Sequence, residues 1–436
     1  MSPVIIGLLG FLVLFALLAC GMHIGYTLAF VGLVGMCVLY PFPAAMTKMA
    51  TVPFEVIANY NFAVLPLFLL MAQVTFISGF GADLFRFASK LIGHRRGGLA
   101  MASIFGATGF AACSGSSFAT AATVGLVALP EMKKYGYDQR LAVGAVCAGG
   151  TVGSLVPPST MFIVYAILTG TSIGKLFAAS LIPALLTILS YLITIWLLCL
   201  RDPRLGPPTD RISARERFKA FAECWEILLL VIFVIGGMII GWFTPTEAGA
   251  VGAAGSIMLA AIRRRLTLKM LGKAFMEAMT AAGMVMVIMM GAFVFNYFCA
   301  KTGLPDACAQ WIASLHVNRW MVMSVIIVMY FLMGMVMEAP SIQILTLPVF
   351  FPILITNLNF DPVWFGVIQV RMLEITLITP PLGMVAYIIS GLEKDLSLTT
   401  VFKGATPFLL MELVTMPLFM FVPAITTWLP TLLSRV

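Results

Sequence analysis

Charge is scarce in this sequence, which argues against a soluble globular protein. Only 10% of the 436 residues are Asp, Glu, Lys or Arg, whereas 61% are hydrophobic, and the mean hydropathy is +1.05. Soluble chains are typically about 25% charged. The alternating segments of about ten residues that mark a membrane β-barrel are also missing. The sequence therefore predicts an all-α polytopic membrane protein.

The patterns of metal sites, nucleotide sites and secretion signals are missing as well. None of the eight cysteines has CxxC spacing and the three histidines lie far apart, so we expect no cysteine or histidine metal centre. The cysteines are expected to be small buried hydrophobes. Without a Walker A sequence, ATP is not the expected energy source. The first residues, Met-Ser-Pro, lack the positive region of a signal peptide.

Ten apolar stretches have the length of about 20 residues that a membrane-spanning helix needs. They are 3–20, 23–40, 61–78, 139–169, 176–200, 225–242, 246–262, 276–299, 361–390 and 404–430. The fourth and the ninth contain adjacent prolines, at 157–158 and 380–381. Because proline removes a backbone hydrogen bond and breaks a helix, we predict two broken transmembrane helices.

Two further apolar stretches, 97–132 and 320–357, do not fit single crossings. A helix of 36 residues would be about 54 Å long, against a hydrocarbon core of about 30 Å. Two full crossings would need about 40 residues and a turn. A helical hairpin that enters the membrane and returns fits the length. We therefore predict two re-entrant hairpins, with tips at Cys113–Ser117 and Met337–Ser341.

Lysine and arginine are unevenly distributed, and cytoplasmic loops collect both residue types. With re-entrant hairpins, 20 of the 26 basic residues fall on one side, five on the other, and Arg371 within a span. The basic segments are 79–97, 131–140, 201–224, 263–274 and 391–403. This bias places those segments in the cytoplasm and both termini on the other side, with the hairpins opening in opposite directions. The net charge of +8 is thus a topology signal, and no nucleic-acid partner is expected.

The two halves of the chain repeat one element order. Asp138 and Asp361, the two Pro-Pro pairs, and Met161 and Met384 are each separated by 223 residues. Together with the opposite hairpin orientations, this spacing predicts an inverted repeat, which is typical of secondary transporters. The predicted units are a first repeat over 1–200, a cytoplasmic connector over 201–224 and a second repeat over 225–436.

Each half combines a polar hairpin tip with a broken helix, and this pairing suggests an ion site. Unwound carbonyls and half-helix ends at mid-membrane bind ions and substrates in transporters. Hydroxyl and carbonyl oxygens are suitable ligands for sodium, a hard cation. The alternative is that the small residues of the first tip only allow close helix packing. A second sodium site in the second half is the symmetrical expectation, with backbone carbonyls expected to supply much of its coordination.

Three ionisable residues of the second half are predicted at membrane depth, where charge is costly and usually functional. Arg371 and Glu374 are three residues apart on one helix and can pair. They form either a structural ion pair or a site in which Arg371 binds a substrate carboxylate. Glu338 could accept a substrate hydroxyl or amine, or titrate as a coupling group. Glu247, in the first turn after Thr-Pro, is most simply a helix cap.

Several motifs resemble those of a known family. "SGSS…ATAATVGLVALPEMKKYGYD", "GGTVGSLVPPST", "FTPTEAGAVGA" and "ITPPLGMVAY" are similar to the large membrane subunit of tripartite ATP-independent periplasmic (TRAP) transporters. The resemblance covers nearly the whole chain. It implies an elevator-type sodium symporter for organic acids in a bacterial inner membrane, for which the charge bias above predicts periplasmic termini. It also implies two partners, a small four-helix membrane subunit and a soluble periplasmic binding protein. No extra four-helix segment precedes Met1, so we expect the small subunit to be a separate chain.

The resemblance also suggests positions for the ions and the substrate. The first sodium site would comprise Ser114, Ser117, Gly153, Val156 and Pro158. The second would comprise Glu338, Ser341, Thr376 and Thr379. The residues expected to contact substrate are Arg371, Glu338, Ser116, Ser159, Thr160 and Gly383. Met372, Thr376 and the "MEAPS" tip depart from the usual family pattern, so the second site is the less closely matched.

These observations predict a sodium-coupled, binding-protein-dependent importer of a small carboxylate. A stand-alone divalent-anion/sodium symporter of similar elevator fold is the alternative, and dependence on a binding protein distinguishes the two. An intramembrane enzyme would need HExxH or paired aspartates at depth, and the sequence contains neither. A channel is disfavoured because inverted hairpins suit alternating access. We therefore predict no enzymatic activity, no organic cofactor and Na⁺ as the coupling ion.

Overall fold

Helices make up all the regular structure in the described part of the chain. The computed structural model describes residues 2–393 and 396–433. The helices are α1 Pro3–Ala19, α2 Ile24–Leu39, α3 Phe42–Ala58, α4 Val64–Ile77, α5 Phe80–Ile92, α6 Gly98–Ser114, α7 Ser117–Lys134, α8 Gln139–Thr151, α9 Thr160–Thr169, α10 Ile173–Arg201, α11 Ala214–Ala222, α12 Trp225–Ile240, α13 Pro245–Ile262, α14 Leu268–Thr302, α15 Leu304–Ser314, α16 Arg319–Gly334, α17 Ala339–Phe351, α18 Pro362–Thr376, α19 Met384–Leu392, α20 Leu398–Phe421 and α21 Ala424–Leu433. Short 3₁₀ turns cover Tyr60–Ala63 and Val152–Ser154, and a π turn covers Pro352–Asn357.

By length and composition, six helices in the described residues are suited to cross a membrane. A seventh arises if the bent pair α11 and α12 counts as one span. Five of the six coincide with predicted crossings, and the sixth, Ala339–Asn357, belongs to the second predicted hairpin. The predicted crossings at 3–20 and 23–40 form helices of 17 and 16 residues, which are shorter than the usual span. A count of ten full crossings stays a prediction.

Two boundaries differ from the sequence prediction. The predicted crossing 404–430 is two helices, α20 and α21, because Pro423 cannot continue the helix hydrogen bonds. The second hairpin is interrupted at Met335–Glu338, slightly before the predicted tip. Pro340 lies in the first turn of α17, a position that tolerates the missing N–H. The sequence analysis also missed α3, which precedes α4.

The two predicted helix breaks are present. The first runs from the end of α8 at Thr151 to the start of α9 at Thr160, and the second separates α18 from α19. The first hairpin stretch forms α6 and α7, which end and begin on either side of Gly115 and Ser116. The second stretch forms α16 and α17. Whether these pairs are re-entrant depends on the membrane position and stays a prediction.

The helix order repeats along the chain with nearly the predicted spacing. Helices α1 and α2 correspond to α12 and α13, and α5 corresponds to α15. Gly79 and Gly303, which lie just before α5 and α15, both have φ near +70°, at 73° and 65°. Glycine adopts this left-handed conformation without strain. The corresponding sharp turn therefore occurs in each half.

Segments predicted to be cytoplasmic contact one another in the fold. The buried carboxylate of Asp83 in α5 pairs with Arg265, which follows α13. Lys133 at the end of α7 lies 3.4 Å from Glu393. On the predicted opposite side, Lys48 and Lys301 both lie over the ring of Tyr297. The membrane side that each group faces stays a prediction. Lys394 and Arg435, which the sequence count included, are outside the described residues.

The connector between the halves is attached to the base of the first hairpin. Gly97 donates a backbone hydrogen bond to the carbonyl of Gly206 (2.8 Å), and Asp138 donates one to Leu205 (2.9 Å). Thr209 donates to the carbonyl of Gly93 (3.0 Å). These bonds fix the segment before α11 against the N-terminal ends of α6 and α8. The connector therefore packs on the hairpin rather than extending freely.

Local capping matches the sequence. The Thr244 side chain accepts from the Glu247 N–H, and the Glu247 carboxylate accepts from the Thr244 N–H at 2.8 Å. This capping box satisfies two backbone donors at the start of α13. It confirms the structural role predicted for Glu247. Of the eight cysteines, five are buried and Cys20 is exposed, so the prediction of buried hydrophobes holds for most of them.

We expect Asp83→Asn to destabilise the folded chain, because the Arg265 guanidinium would lose its charged partner. Loss of a buried hydrogen-bonded partner costs roughly 1–3 kcal/mol, and the half-exposed side chain of Arg265 limits the effect to the lower part of that range. The thermal unfolding midpoint of the purified protein in detergent measures this change. The control is Glu277→Gln, which removes an exposed pair with Lys273 at 3.7 Å. An unchanged midpoint in Asp83→Asn would contradict the proposed contribution.

Candidate functional site

The tip of the first hairpin is docked on the first helix break. The Thr160 N–H and hydroxyl both lie within 3.4 Å of the Gly115 carbonyl, which accepts from them. Gly115 has a φ of 59°, and the Pro158 carbonyl lies where a Cβ atom on Gly115 would be. Only glycine permits this conformation and this approach together. The tip and the break are thus in direct contact through their backbones.

Ser117 joins the tip to the end of α8. Its hydroxyl donates to the Thr151 carbonyl at 3.1 Å and lies 2.6 Å from the Ser154 hydroxyl. A Cβ atom on Gly153 would lie 2.8 Å from the Ser116 carbonyl oxygen. The close approach therefore depends on glycine at position 153 as well. These contacts bring together the tip and break residues that the sequence proposed for the first sodium site.

The first candidate site is buried and built from neutral oxygen atoms. Ser114 lies next to the tip and its hydroxyl is 3.0 Å from that of Thr120. Val156 and Pro158 are buried in the break, and proline at positions 157 and 158 leaves backbone carbonyls without their usual helical donors. Hydroxyl and carbonyl oxygens of this kind suit sodium better than a transition metal. Within the described residues, no cluster of three or more His, Cys, Asp or Glu could hold a metal.

The second hairpin also meets the second break, at the end of α18. Gly334, at the end of α16, lies so close to Thr376 that a side chain at position 334 would overlap it. The hydroxyls of Thr376 and Thr379 are buried and donate to the carbonyls of Leu373 and Ile375 at 2.7 and 2.8 Å. Their lone pairs remain available to a cation. The structure thus brings Thr376 into contact with the end of α16, and its role at a second sodium site stays a prediction.

Two residues predicted for the second sodium site are less closely associated with it. Glu338 is exposed at the start of α17, and its side chain makes no cap hydrogen bond there. Ser341 is half-buried in the first turn of α17, because the helix begins earlier than predicted. Gly383 is buried and close to the ring of Phe402 and the Thr379 carbonyl. The roles of these residues stay predictions.

A buried glutamine connects the second hairpin with the first broken helix. The Gln343 amide in α17 donates to the Met161 carbonyl at 3.1 Å, and also approaches the Gln369 carbonyl oxygen at 3.4 Å. Gln369 donates to the Tyr330 hydroxyl at 2.7 Å. Both glutamines are fully buried. This chain of hydrogen bonds joins the two halves beside Ser159 and Thr160, and the sequence analysis missed it.

Two polar atoms in this region have no hydrogen-bond partner among the described residues. They are the Ser159 hydroxyl and the Gln343 carbonyl oxygen. Both side chains are buried. They lie near each other because Gln343 donates to the carbonyl of Met161, which is two residues after Ser159 in the chain. An unsatisfied buried polar atom costs about 1–3 kcal/mol unless a water or ligand pairs with it. Their location indicates a place where a polar ligand would gain hydrogen bonds.

Arg371 is in a closed ion cluster. Its guanidinium donates to Glu374 at 2.9 Å, pairs with Glu412 and lies 5.4 Å from the centre of the Phe419 ring. All three charged side chains are almost completely buried. The Tyr191 hydroxyl is hydrogen-bonded to the same Glu412 carboxyl. This geometry favours the structural ion pair between Arg371 and Glu374 over an open substrate site. A substrate contact by Arg371 stays a prediction that this closed cluster does not support.

Glu412 is the main charged residue that the sequence analysis missed. It lies within the predicted crossing 404–430, where the rule that intramembrane charges are functional or paired also applies. Its partner could not have been identified, since Arg371 is 41 residues away along the chain. Gln343 and Gln369 gave a weaker signal, as uncharged polar residues within apolar stretches.

Comparisons with known proteins agree with the membrane fold. The chain matches the family described as "Tripartite ATP-independent periplasmic transporter, DctM component" over residues 11–425. It is 35% identical over 393 residues to the C4-dicarboxylate TRAP transporter large permease protein DctM of Pseudomonas aeruginosa, covering 90% of this chain and 91% of that protein. It is 30% identical to the sialic acid TRAP transporter large permease protein SiaM of Vibrio cholerae, over 95% and 96% of the two chains.

A third relative and a solved structure extend the comparison. The 2,3-diketo-L-gulonate TRAP transporter large permease protein YiaN of Escherichia coli is 31% identical, over 84% of this chain and 85% of that protein. The crystal structure of the YdaH transporter of Alcanivorax borkumensis has a TM-score of 0.63 at 16% identity, over 89% and 90% of the chains, which is a likeness of fold alone. The family match and the relatives establish that this chain belongs to the DctM family, the large permease subunits of TRAP transporters, which are multi-pass membrane proteins of the inner membrane.

Proposed function

We propose that this chain is the membrane permease of a sodium-coupled importer of a small organic acid. The observation that supports this most directly is the docking of the Gly115 and Ser117 region on the break between α8 and α9. It forms a buried group of neutral oxygens at a broken helix, the arrangement that secondary transporters use for ions. The family works with a small permease subunit and a periplasmic binding protein, so we propose the same two partners for this chain.

We propose that one sodium ion binds between the first tip and the first break, held by Ser114, Ser117 and carbonyls of the segment Gly153–Pro158. The Ser117 hydroxyl can keep its contact with Thr151 and still offer a lone pair. A second ion would bind at Thr376 and Thr379, close to Gly334. Glu338 is exposed and Ser341 is only half-buried, so we expect weaker binding there. Glu338 and Ser341 would join it only after a movement of the hairpin.

We propose that the substrate lies at the junction of the first break and the second hairpin. Ser159 and Ser116 offer hydroxyl donors to a carboxylate, and Gln343 offers an uncommitted carbonyl oxygen to a substrate hydroxyl. The Thr160 hydroxyl would join them as a donor only on leaving the Gly115 carbonyl, to which it donates here. A carboxylate bound there would also be close to the proposed first sodium ion, whose charge favours an anion. The named substrates of the relatives are a C4-dicarboxylate, sialic acid and 2,3-diketo-L-gulonate. Each is a candidate class for this chain.

Uptake by the reconstituted complex tests the proposed activity. Liposomes would contain this chain and its small subunit, with the binding protein added outside and one candidate acid supplied at a time. We expect uptake of at least one acid only when an inward sodium gradient and the binding protein are both present. Equal uptake in potassium would contradict sodium coupling. Uptake that does not need the binding protein would instead favour a stand-alone anion/sodium symporter.

We expect Ser117→Ala to weaken the proposed first sodium site. The hydroxyl is one of few ligands, and a hydrogen-bonding or ion contact of this kind contributes about 1.5–3 kcal/mol. The sodium concentration for half-maximal uptake should therefore rise about tenfold or more. Ser256→Ala is the matched control, since Ser256 is buried in α13 and its hydroxyl donates only to the Ala253 carbonyl. An equal sodium dependence in both variants would argue against the site.

We expect Gly153→Ala to prevent the first tip from docking on the break. The added methyl group would lie 2.8 Å from the Ser116 carbonyl oxygen, and overpacking of this kind costs about 1–3 kcal/mol. Uptake should fall by about tenfold or more while the amount of protein in the membrane stays similar. In the control Gly283→Ala, the methyl group meets no atom within 4 Å. Normal uptake by Gly153→Ala would show that this close contact is not required.

A further inference from the structure

The buried cluster around Arg371 contains more negative than positive charge. Two carboxylates, Glu374 and Glu412, surround one guanidinium, and each of these side chains is at most 1% exposed. With both carboxylates ionised, the cluster would carry a net charge of −1 inside the protein. Burial of an uncompensated charge is costly, more so within a membrane. Charge balance therefore requires one more positive charge or a bound proton.

The hydrogen bonds that lead away from Glu412 indicate where this proton lies. The Glu412 carboxyl contacts the Tyr191 hydroxyl, which lies 3.1 Å from the Thr151 hydroxyl. The Thr151 hydroxyl lies 2.8 Å from the Ala148 carbonyl. Each hydroxyl has a single hydrogen atom. If Glu412 is ionised, two hydrogen atoms are available for three contacts, and one contact has none.

A proton on Glu412 provides the missing hydrogen. Glu412 then donates to Tyr191, Tyr191 donates to Thr151, and Thr151 donates to the Ala148 carbonyl. All three contacts become hydrogen bonds that run in one direction and end at a backbone acceptor. We propose that Glu412 is a proton-binding site and that the bound proton, taken from the solvent, neutralises the cluster with Arg371 and Glu374. The charge count requires one bound proton in the cluster, and the hydrogen count assigns that proton to Glu412 rather than to Glu374.

The groups around Glu412 come from three of the helices packed against α20, namely α18, α10 and α8. From α18, Arg371 and Glu374 face it, and from α10, Tyr191 does. From α8, the Thr151 hydroxyl reaches it through Tyr191 and does not titrate in the accessible range. In the described residues, α19 contributes no charged or titratable group to its electrostatic environment. The other contact in the cluster is the Thr415 hydroxyl, 3.5 Å from Arg371. A bound proton is thus the charge that this environment lacks.

The proton chain ends next to the first candidate ion site. Thr151 is the last residue of α8, and its carbonyl accepts from Ser117 at 3.1 Å. Loss of the proton would leave Tyr191 to donate to Glu412, and the Thr151 hydroxyl would then turn from Ala148 towards Tyr191. The protonation of Glu412 would thereby change the end of α8 beside the hairpin. This connection extends the proposed transport function, but the proton site itself does not depend on it.

Infrared spectroscopy of the purified full-length chain with its small subunit tests the site directly. A protonated carboxyl group gives a carbonyl stretching band that a carboxylate lacks. We expect such a band at neutral pH, its loss at alkaline pH and its absence from Glu412→Gln. Tyr191→Phe should shift the band, because the acid loses its acceptor, and this variant preserves the ring packing. Glu277→Gln, on the exposed face of α14, is the control and should retain the band.

The pH dependence of stability gives a second measurement. Glutamate in an unfolded chain has a pKa near 4.3 and is ionised at neutral pH, so a folded chain with a protonated Glu412 binds one more proton. Stability then falls as the pH rises, until the bound proton is lost. We expect the thermal midpoint of the wild type to fall between neutral and alkaline pH more steeply than that of Glu412→Gln.

Several results would overturn the proposal. The first is the absence of a protonated carboxyl band at neutral pH. The second is a band that Glu412→Gln and Tyr191→Phe both leave unchanged. The third is a carboxylate signal at neutral pH that changes with sodium concentration, which would mean that a sodium ion balances the cluster. Because spectroscopy and unfolding need no substrate, these results are independent of the uptake experiments. Failure of sodium-coupled uptake with an intact Glu412 band would reject the transport proposal alone.

Discussion

The structure depends on one constraint, which is that the backbone of an interrupted helix needs hydrogen-bond partners inside an apolar environment. Each Pro-Pro pair removes two donors and frees carbonyls, and a helix break without partners would be costly at membrane depth. The hairpin tip supplies some of those partners. Gly115 offers its carbonyl to Thr160, and Ser117 donates to the Thr151 carbonyl at the end of α8. Because the tip satisfies the break only in part, oxygens remain that can bind an ion, so one arrangement serves both stability and the proposed site.

The same constraint is met differently in the two halves. The prolines at 157 and 158 are buried beneath the first tip, whereas Pro380 and Pro381 are exposed. In the second half, the hairpin reaches the end of α18 through the close contact of Gly334 with Thr376. The repeat therefore conserves the order of elements without conserving their surroundings. The first candidate site is therefore more enclosed than the second, and the unequal sodium affinities that we propose are the expected consequence.

The sequence could predict the elements because their signals are local. Apolar length, adjacent prolines and charge distribution located both helix breaks and both hairpin stretches, and the 223-residue spacing related the halves. The same signals failed where a short helix or an internal proline changed the boundary, as at α3 and at Pro423. The site was only partly predictable. Ser114, Ser117 and Gly153 lie in recognisable motifs, but Glu412 and Gln343 act through partners distant in the sequence. Pairings of that kind follow from the fold and cannot be read from spacing.

The buried polar networks explain how the two repeats are held together. Inside a membrane, apolar helix surfaces give little preference for one helix partner over another, whereas hydrogen bonds and ion pairs determine which helices pack together. One network runs from Met161 in the first half to Gln343 in the second, and the other runs from Tyr191 to Glu412 and Arg371. Separation of either pair of elements would leave polar or charged groups unpaired in an apolar environment. Movements that preserve these contacts are therefore favoured. We expect the two broken helices to move as one unit with α10, α17 and α20, which carry the partners in these networks.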